Sequence, residues 1–566
     1  MKNKLGLLRI AAATPKIKVA DVNANIDEIV RLCRAIASES NPSVIVFPEL
    51  CVTGYTCGDL FNQKTLLSGV ERGIERLCRE TASLPQTIVA GYPAECEGEP
   101  VDAVLVIRGG KILDFEGHTF ELDGITFAIE LGDTLLESGV SSEGTEGADI
   151  ILCPVASYEI AGRHDKRKAA LAAESARLSA AYVYCCSGYG ESTDDFAWAG
   201  SSLIYANGVK LAENERFLHD SSWICADIDL EALHAPGQGF HADSAGKTEI
   251  DPHPFVPADP ARLKERCLEI FNIQTVALMS RLEHIHCDKC VIGVSGGLDS
   301  TLALLVVCEA FDRLGFDRKG IYAVTMPCFG TSDRTHSNAS SLMDALGLTS
   351  MEIGIGEAVL QHFRDIGQDP SKHDLTFENA QARERTQVLM DLANKVGGIV
   401  IGTGDLSEIA LGWCTYNGDH MSMYGVNSGV PKTLVRAMVR QLASNYPCEK
   451  TLLDIADTPV SPELVPGQVT EDLVGPYELH DFFLRRFFLN ETPHEILDNA
   501  VKAFGSSYDK ETILKWLRTF IRRFFSQQFK RSCSPCGPKI GSVGLSPQDW
   551  HMPTDASASL WLADLD

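Results

Sequence analysis

Long hydrophobic runs are missing from this chain. No stretch approaches the ~18 consecutive apolar residues that a membrane-spanning helix needs, which argues against insertion in a bilayer. The opening segment MKNKLGLLRIAAATPKI imitates a leader peptide, but Arg9 interrupts its apolar part, which reads better as a first β-strand. Positive charge is also scarce. Fifty Lys and Arg residues stand against 77 Asp and Glu, a formal net charge of −27. Extended contact with a phosphate backbone needs clustered cations, so no nucleic-acid partner is expected. There is no internal repeat and no low-complexity tract. The expected location is the cytoplasm.

The 18 cysteines are scattered without secretory context, so free thiols are expected. Two C-x-x-C pairs, Cys287/Cys290 beside His284 and His286, and Cys533/Cys536, could together build a tetrahedral zinc site. Against that, Cys290 runs straight into an apolar strand and Cys536 sits in the turn SPCGPK.

What the chain does have is 566 residues at 45% hydrophobic and 22% charged, enough for two to four globular domains. Apolar strands are expected at 5–13, 43–48, 87–91, 103–107, 149–153, 181–187 and 202–205. Helical spacing appears at 20–38, and an Ala-rich helix at 166–180. Alternating strands and helices give an α/β domain over 1–231. Residues 232–262, with GQG and DPHPFVPADP, read as a linker. The alternation restarts over 263–566: a helix at 261–283, then strands at 290–294, 320–325 and 398–402, in a parallel, doubly wound sheet. The aromatic tail (FFLRRFF, WLRTFIRRFF) reads as packed helices whose arginines extend to solvent, in preference to a membrane-surface helix.

The stretch VIGVSGGLDST, 291–301, is a strand that breaks into a glycine-containing loop and opens a helix. Gly293, Val294, Ser295, Gly296, Gly297, Leu298, Asp299 and Ser300 can close their backbone on a phosphate. The helix start adds N–H donors, and Asp299 can hold Mg2+. The loop is not G-x-x-x-x-G-K-S/T, so kinase or GTPase chemistry is disfavoured. S-G-G-x-D-S in this setting resembles the ATP-pyrophosphatases with a PP-loop, which cleave ATP between the α- and β-phosphates and activate a carbonyl oxygen as an adenylate.

The stretches TFENAQARERTQVLMDLAN (376–394), GGIVIGTGDLSEIALGWCTYNGDHMSMYGVNSGVPKTLV (397–435), DTPVSPEL (457–464) and QFKRSCSPCGPK (528–539) narrow the resemblance to NAD synthetases of the long bacterial, glutamine-dependent type. The resemblance covers essentially the whole second half. It implies an adenine nucleotide α-hydrolase-like domain and ATP-dependent amidation of deamido-NAD, with release of AMP and pyrophosphate. ATP and Mg2+ are the implied cofactors. Asp299 and Ser295 become the expected catalytic residues, and Thr403 joins the phosphate loop in contacting ATP. Glu408 is assigned to the metal together with Asp299, and to deamido-NAD. Asn379 and Arg383, one turn apart on one helix face, with Trp413, Cys414, Thr415, Tyr416 and Lys530, complete the dinucleotide site. For Trp413, plain core packing is the alternative. A large homo-oligomer is implied.

The first half resembles the nitrilase-type glutaminase domain of the same enzymes, an α-β-β-α sandwich, through FPELCVTGYTCGDLF (47–61), SYEIAGR (157–163) and AYVYCCSGYGESTDDFAWAGSSLIY (181–205). Glu49 matches the base of that family's Glu–Lys–Cys triad, and Ser157 and Arg163 match glutamine-holding positions. The K-x-x-L-P-x-Y segment that carries the lysine is absent, leaving only Lys111 of an earlier hairpin. Where E-I-C-E-D would stand, the chain reads FAIELGD (127–133), and a gap-free count back from Ser157 puts Glu130 in the nucleophile's place. Cys153 falls too far along, in the next strand. An ionised carboxylate is a poor nucleophile toward an amide, so the reading is an enzyme fed by ammonia, with the first half kept for structural reasons. The alternatives are a glutamine-dependent enzyme served by an unusual site or a partner, and a non-catalytic nucleotide-binding paralogue.

Overall fold

The computed structural model describes residues 7–96, 98–115, 117–141, 144–233, 250–330, 333–458, 464 and 470–566. It divides into two compact units. The first holds residues 1–192 and 197–246; the second holds 247–566 together with the short strap Thr193–Phe196.

The first unit is built on two six-stranded sheets. One runs, in spatial order, Ser222–Ile228, Leu8–Thr14, Val44–Val46, Thr87–Cys96, Glu99–Arg108, Lys111–Ile112. The other runs Val209–Glu213, Leu203–Ala206, Ala181–Cys186, Ile150–Val155, Ile125–Ile129, Thr119–Leu122. Side-chain alternation along a strand assigns each residue to a layer. Leu8, Ile10 and Ala12 join Phe127, Ile129, Ile150 and Leu152 in the core between the sheets. Ala11 and Ala13 face the opposite way, toward the amphipathic helices Val22–Glu39 and Lys64–Thr81. On the far side, Ala128, Ile151, Cys153 and Tyr182 pack beneath the helix Arg163–Leu178. The layering is therefore helix, sheet, sheet, helix, as the sequence predicts. The strand at 125–129 ends one residue before Glu130, where the sequence reading carries it to 133.

The second unit has one five-stranded, wholly parallel sheet, in spatial order Thr349–Glu352, Ile321–Thr325, Cys290–Gly293, Ile399–Gly402, Tyr424–Gly425. Chain order reverses between Cys290–Gly293 and Ile399–Gly402. That switch point opens a crevice at the carboxyl ends of the two strands, and the phosphate loop and the GTGDLSE segment leave from there. The helix Leu298–Leu314 that follows the loop is buried along most of its length. The aromatic tail folds as the packed helices Tyr477–Phe487 and Lys510–Ser526, which bury Phe482, Phe483, Phe520, Phe524 and Phe525 in one core. Arg486 lies over the Phe482 ring and pairs with Glu491. No helix of the described residues is long and apolar enough to cross a membrane. Of the expected linker, residues 234–249 lie outside the described residues.

The strap is held by four hydrogen bonds inside the second unit. Thr193 Oγ1 donates to the Ala277 carbonyl (2.9 Å) and Tyr424 OH donates to the Thr193 carbonyl (2.7 Å). The amides of Gly537 and Lys539 donate to the carbonyls of Asp194 (2.8 Å) and Asp195 (2.7 Å).

Candidate active site

The turn at 295–297 owes its shape to glycine. Gly296 has φ +83°, and a Cβ there would lie 2.2 Å from the Thr335 carbonyl oxygen. No other residue fits both demands. The Gly297 amide donates to Ser295 Oγ at 3.1 Å, and Ser300 and Thr301 hydroxyls return to the Gly297 carbonyl. Gly297 caps the following helix without a side chain, so the helix start offers main-chain N–H groups and its positive dipole end to the crevice.

Asp299, Asp405 and Glu408 each offer a carboxylate oxygen within 4.8 Å of the others. At their centre is Lys432, 3% exposed, whose Nζ lies 2.6 Å from Asp299 Oδ2, 2.8 Å from Asp405 Oδ2 and 2.8 Å from Glu408 Oε1. Burial, together with the neighbouring carboxylates, raises Glu408 to about 7 against the opposing pull of Lys432. Burial likewise raises Asp405 well above the usual carboxylate range. The Lys432 ammonium is held charged by its three acidic neighbours against the cost of burial. Asn427, fully buried, staples the two loops: its Nδ2 donates to the Asp299 carbonyl (2.9 Å) and the Thr403 carbonyl (3.2 Å).

Sequence reasoning placed Asp299, Thr403 and Glu408 here but missed Lys432, Asp405 and Asn427. Asp405 had a local signal. D-L-S-E is a capping pattern, and Asp405 Oδ1 indeed accepts the Glu408 amide at 2.8 Å. Lys432 opens the helix Lys432–Leu442 after Pro431, a position that in sequence looks like an ordinary exposed lysine.

The dinucleotide candidates converge on the segment 412–416. Asn379 Oδ1 accepts the Thr415 hydroxyl at 2.8 Å, and Arg383 Nε donates to the Tyr416 carbonyl at 3.3 Å, so the two do share a helix face. Lys530 Nζ donates to the carbonyls of Gly412 and Cys414, each at 2.7 Å. Trp413 packs against the helical-tail core with the Arg523 guanidinium 5.1 Å above its ring, which fits the core-packing alternative. Tyr416 is the exposed aromatic of the group, ringed by His420 and Phe529. Of DTPVSPEL, residues 459–463 lie outside the described residues. All 18 cysteines are free, and the carboxylate trio is the one cluster of three or more metal-ligating groups among the described residues, so the C-x-x-C pairs form no such cluster there.

In the first unit, Glu49 is buried and accepts the Ala156 amide at 2.8 Å. Burial first, and then the Asp102 carboxyl hydrogen-bonded to it, raise Glu49 to about 9. Glu130 is fully buried and accepts the Tyr182 hydroxyl at 3.0 Å. Lys111 lies exposed on its hairpin. Cys153, expected to fall too far along, is influenced by Glu130, Asp133 and Glu49 together, and burial with those carboxylates drives its thiol well above the ordinary range. Ser157 and Arg163 do meet, and what they hold is Asp133.

The comparisons with known proteins follow this division. The NAD synthase family model matches residues 270–524 and the carbon-nitrogen hydrolase model residues 9–162. The chain is 35% identical to the glutamine-dependent NAD(+) synthetase of Mycobacterium leprae, over 99% of this chain and 98% of that protein. The chain belongs to the NAD(+) synthetase family. Like the M. leprae protein, the synthetase of Thermotoga maritima is matched nearly end to end, at 27% identity over 96% of this chain and 98% of that one. The structure of a glutamine-dependent NAD(+) synthetase from Cytophaga hutchinsonii shares the fold, with a TM-score of 0.80 at 19% identity over 99% and 100% of the two chains. The alignment with the M. leprae synthetase spans 666 positions and this chain has 566 residues, so at least 100 aligned positions face gaps in this synthetase.

Proposed function

We propose that this synthetase amidates deamido-NAD with free ammonia at the crevice of its second unit, consuming ATP and releasing AMP and pyrophosphate. The observation that carries the reading is the carboxylate trio with Lys432 beside a lysine-free phosphate loop. Three acidic side chains surround one ammonium, and Asp299 Oδ1 is buried without a hydrogen-bond partner among the described residues. Such a hard, oxygen-only donor set suits Mg2+, with Asp299 and Glu408 as its holders and Asp405 behind them. When bound, Mg2+ offsets the charge that develops as pyrophosphate leaves.

The chain's own groups do the rest. The amides at the start of the helix Leu298–Leu314, with Ser295 and Thr403, receive the triphosphate. Asn379, Arg383, Thr415, Tyr416 and Lys530 orient deamido-NAD so that its nicotinate carboxylate attacks the α-phosphorus. The acyl-adenylate that results is open to ammonia at its carbonyl carbon, and AMP leaves. Ammonia attacks only as the neutral molecule, so the rate at fixed total ammonium rises with pH.

The first unit supports ammonia as donor in three ways. Its nucleophile position reads Glu130, burial and the neighbouring Asp102 carboxyl push Glu49 away from the charged form that a base needs, and the carboxyl next to that glutamate is Asp102, not a lysine. Loss of one oxyanion donor alone costs about 3 kcal/mol or more in activation. A second reading has two observations behind it: Cys153 lies within electrostatic reach of Glu49, Glu130 and Asp133, and the relatives are named for glutamine. Initial rates of NAD formation with ammonium chloride and with glutamine decide between them. Equal rates from glutamine, abolished in Cys153→Ala, refute the ammonia reading. No NAD from either donor refutes the synthetase reading itself.

A further inference from the structure

The aromatic tail reaches the crevice through one buried carboxylate. Asp481 lies on the helix Tyr477–Phe487, next to Phe482 and Phe483 of the tail core, and is 1% exposed. A carboxylate so placed is costly unless donors surround it. Asp481 has three. Its Oδ1 accepts the Ser407 hydroxyl, and its Oδ2 accepts the Thr433 amide at 3.0 Å and the Thr433 hydroxyl at 2.6 Å.

Both donor residues adjoin the acidic cluster. Ser407 directly precedes Glu408, and Thr433 directly follows Lys432. The helix Lys432–Leu442 starts after Pro431, which has no side chain to cap it. The first amides of a helix need acceptors from outside their own ladder. Here the Lys432 amide donates to Ser407 Oγ at 2.8 Å and the Thr433 amide to Asp481, while those of Leu434 and Val435 return to the Pro431 carbonyl. Because Ser407 Oγ accepts from Lys432, its own proton turns to Asp481. The carboxylate orients the hydroxyl, and the hydroxyl holds the amide. One turn earlier on the same helix face, the Tyr477 ring lies 5.3 Å from Lys432 Nζ. The tail helix thus holds Lys432 at its backbone and at its ammonium.

We propose that Asp481 is a positioning residue for the synthetase reaction: acting through Ser407 and Thr433, it fixes the separation of Glu408 and Lys432 and so the shape of the acidic crevice. The inference rests on the synthetase reading of that crevice and gives the aromatic tail a part in it beyond packing.

The test is steady-state, ammonia-driven NAD formation by the full chain, with thermal melts to report folding. Asp481→Asn keeps the size but exchanges an acceptor for a donor, so it cannot serve both neighbours. Its kcat should fall about tenfold or more, the scale of a lost bond one step behind a ligating group. Its KM for deamido-NAD should stay within about twofold, the mark of a group that acts on the reaction and not on binding. Ser407→Ala cuts the link to the Lys432 amide and should lose kcat in the same way, whereas Ser407→Thr keeps the hydroxyl and should retain it. If Asp481→Asn does not fold, the two Ser407 variants decide by the same measures. Native kcat in Asp481→Asn or Ser407→Ala, with only the melting point lowered, overturns the positioning role alone. So does a KM that rises as kcat falls, or a Ser407→Thr enzyme as impaired as Ser407→Ala. No NAD from the wild type overturns the synthetase reading and this inference with it.

Discussion

Lys432 Nζ and Asp299 Oδ2 lie 2.6 Å apart, joining the first residue of one helix to the first turn of another across 133 positions of sequence. The ammonium offsets the negative charge of the acidic groups around it, and so keeps them together when no divalent cation is bound. Removing one partner of a buried ion cluster costs about 3–5 kcal/mol. Lys432→Met should therefore lower the unfolding midpoint of the second unit strongly. Mg2+ should recover more of the loss than it adds to wild-type stability, because a divalent cation replaces the missing charge. Thermal melts of both proteins with and without magnesium chloride check this. Equal Mg2+ responses would refute a charge-balancing lysine.

Asp299 and Gly296 separate chemistry from shape. Asp299→Asn keeps the side chain's size and should leave a folded chain with turnover down by about 100-fold, on the scale of one lost electrostatic contact in a closed site. Gly296→Ala must move the Thr335 carbonyl or the loop, since its Cβ would approach to 2.2 Å. It should raise the KM for ATP before it changes anything in the first unit. Steady-state kinetics with ammonium chloride reads both. An Asp299→Asn enzyme with native turnover would remove the metal from the argument.

The raised Glu49 makes the first unit sensitive to pH. Its carboxyl goes from an ordinary value of 4.5 to about 9, so the folded state favours the protonated form. That contribution is complete below about 4.5 and is lost as pH rises toward 9. The unfolding midpoint of the first unit should fall across this window, and less steeply in Glu49→Gln, which is neutral throughout. Melting curves over the range test it; parallel pH profiles would show that Glu49 is ionised in the fold.

The strap predicts the effect of cutting the chain. A protein that begins at residue 250 keeps every residue of the crevice but loses Thr193–Phe196. The hydroxyl of Tyr424 and the amides of Gly537 and Lys539 are then left without their carbonyl partners. Each buried polar group left unpaired costs about 1–3 kcal/mol. The truncated chain should melt below the second unit of the full chain, and Tyr424→Phe in the full chain should lose part of the same stability. Identical melting of truncated and full chains would deny the strap any role.

Much of this was legible in the order of residues. Alternation of apolar residues fixed the sandwich layers, because Leu8, Ile10 and Ala12 can only face one way while Ala11 and Ala13 face the other. The break from VIGV into SGGLDS announced a phosphate loop, since glycine at the end of a buried strand has a backbone reason. Asn379 and Arg383 shared a face because a helix repeats every 3.6 residues.

Other relationships have no local trace. Lys432 reads as an ordinary lysine after a proline, and Cys153 as a core thiol in the wrong strand. Asp133 reads as the start of a helix, and Thr193–Phe196 as a loop of the first half. Periodicity reports which face a residue takes within its own element, and nothing about which distant element will meet that face. Strand order in the parallel sheet brought Asp299 to Glu408, and the packing of the helix Arg163–Leu178 on its sheet brought Arg163 to Asp133. Sequence set what each segment could be, while the packing of segments far apart in the chain determined which charges met in places water does not reach.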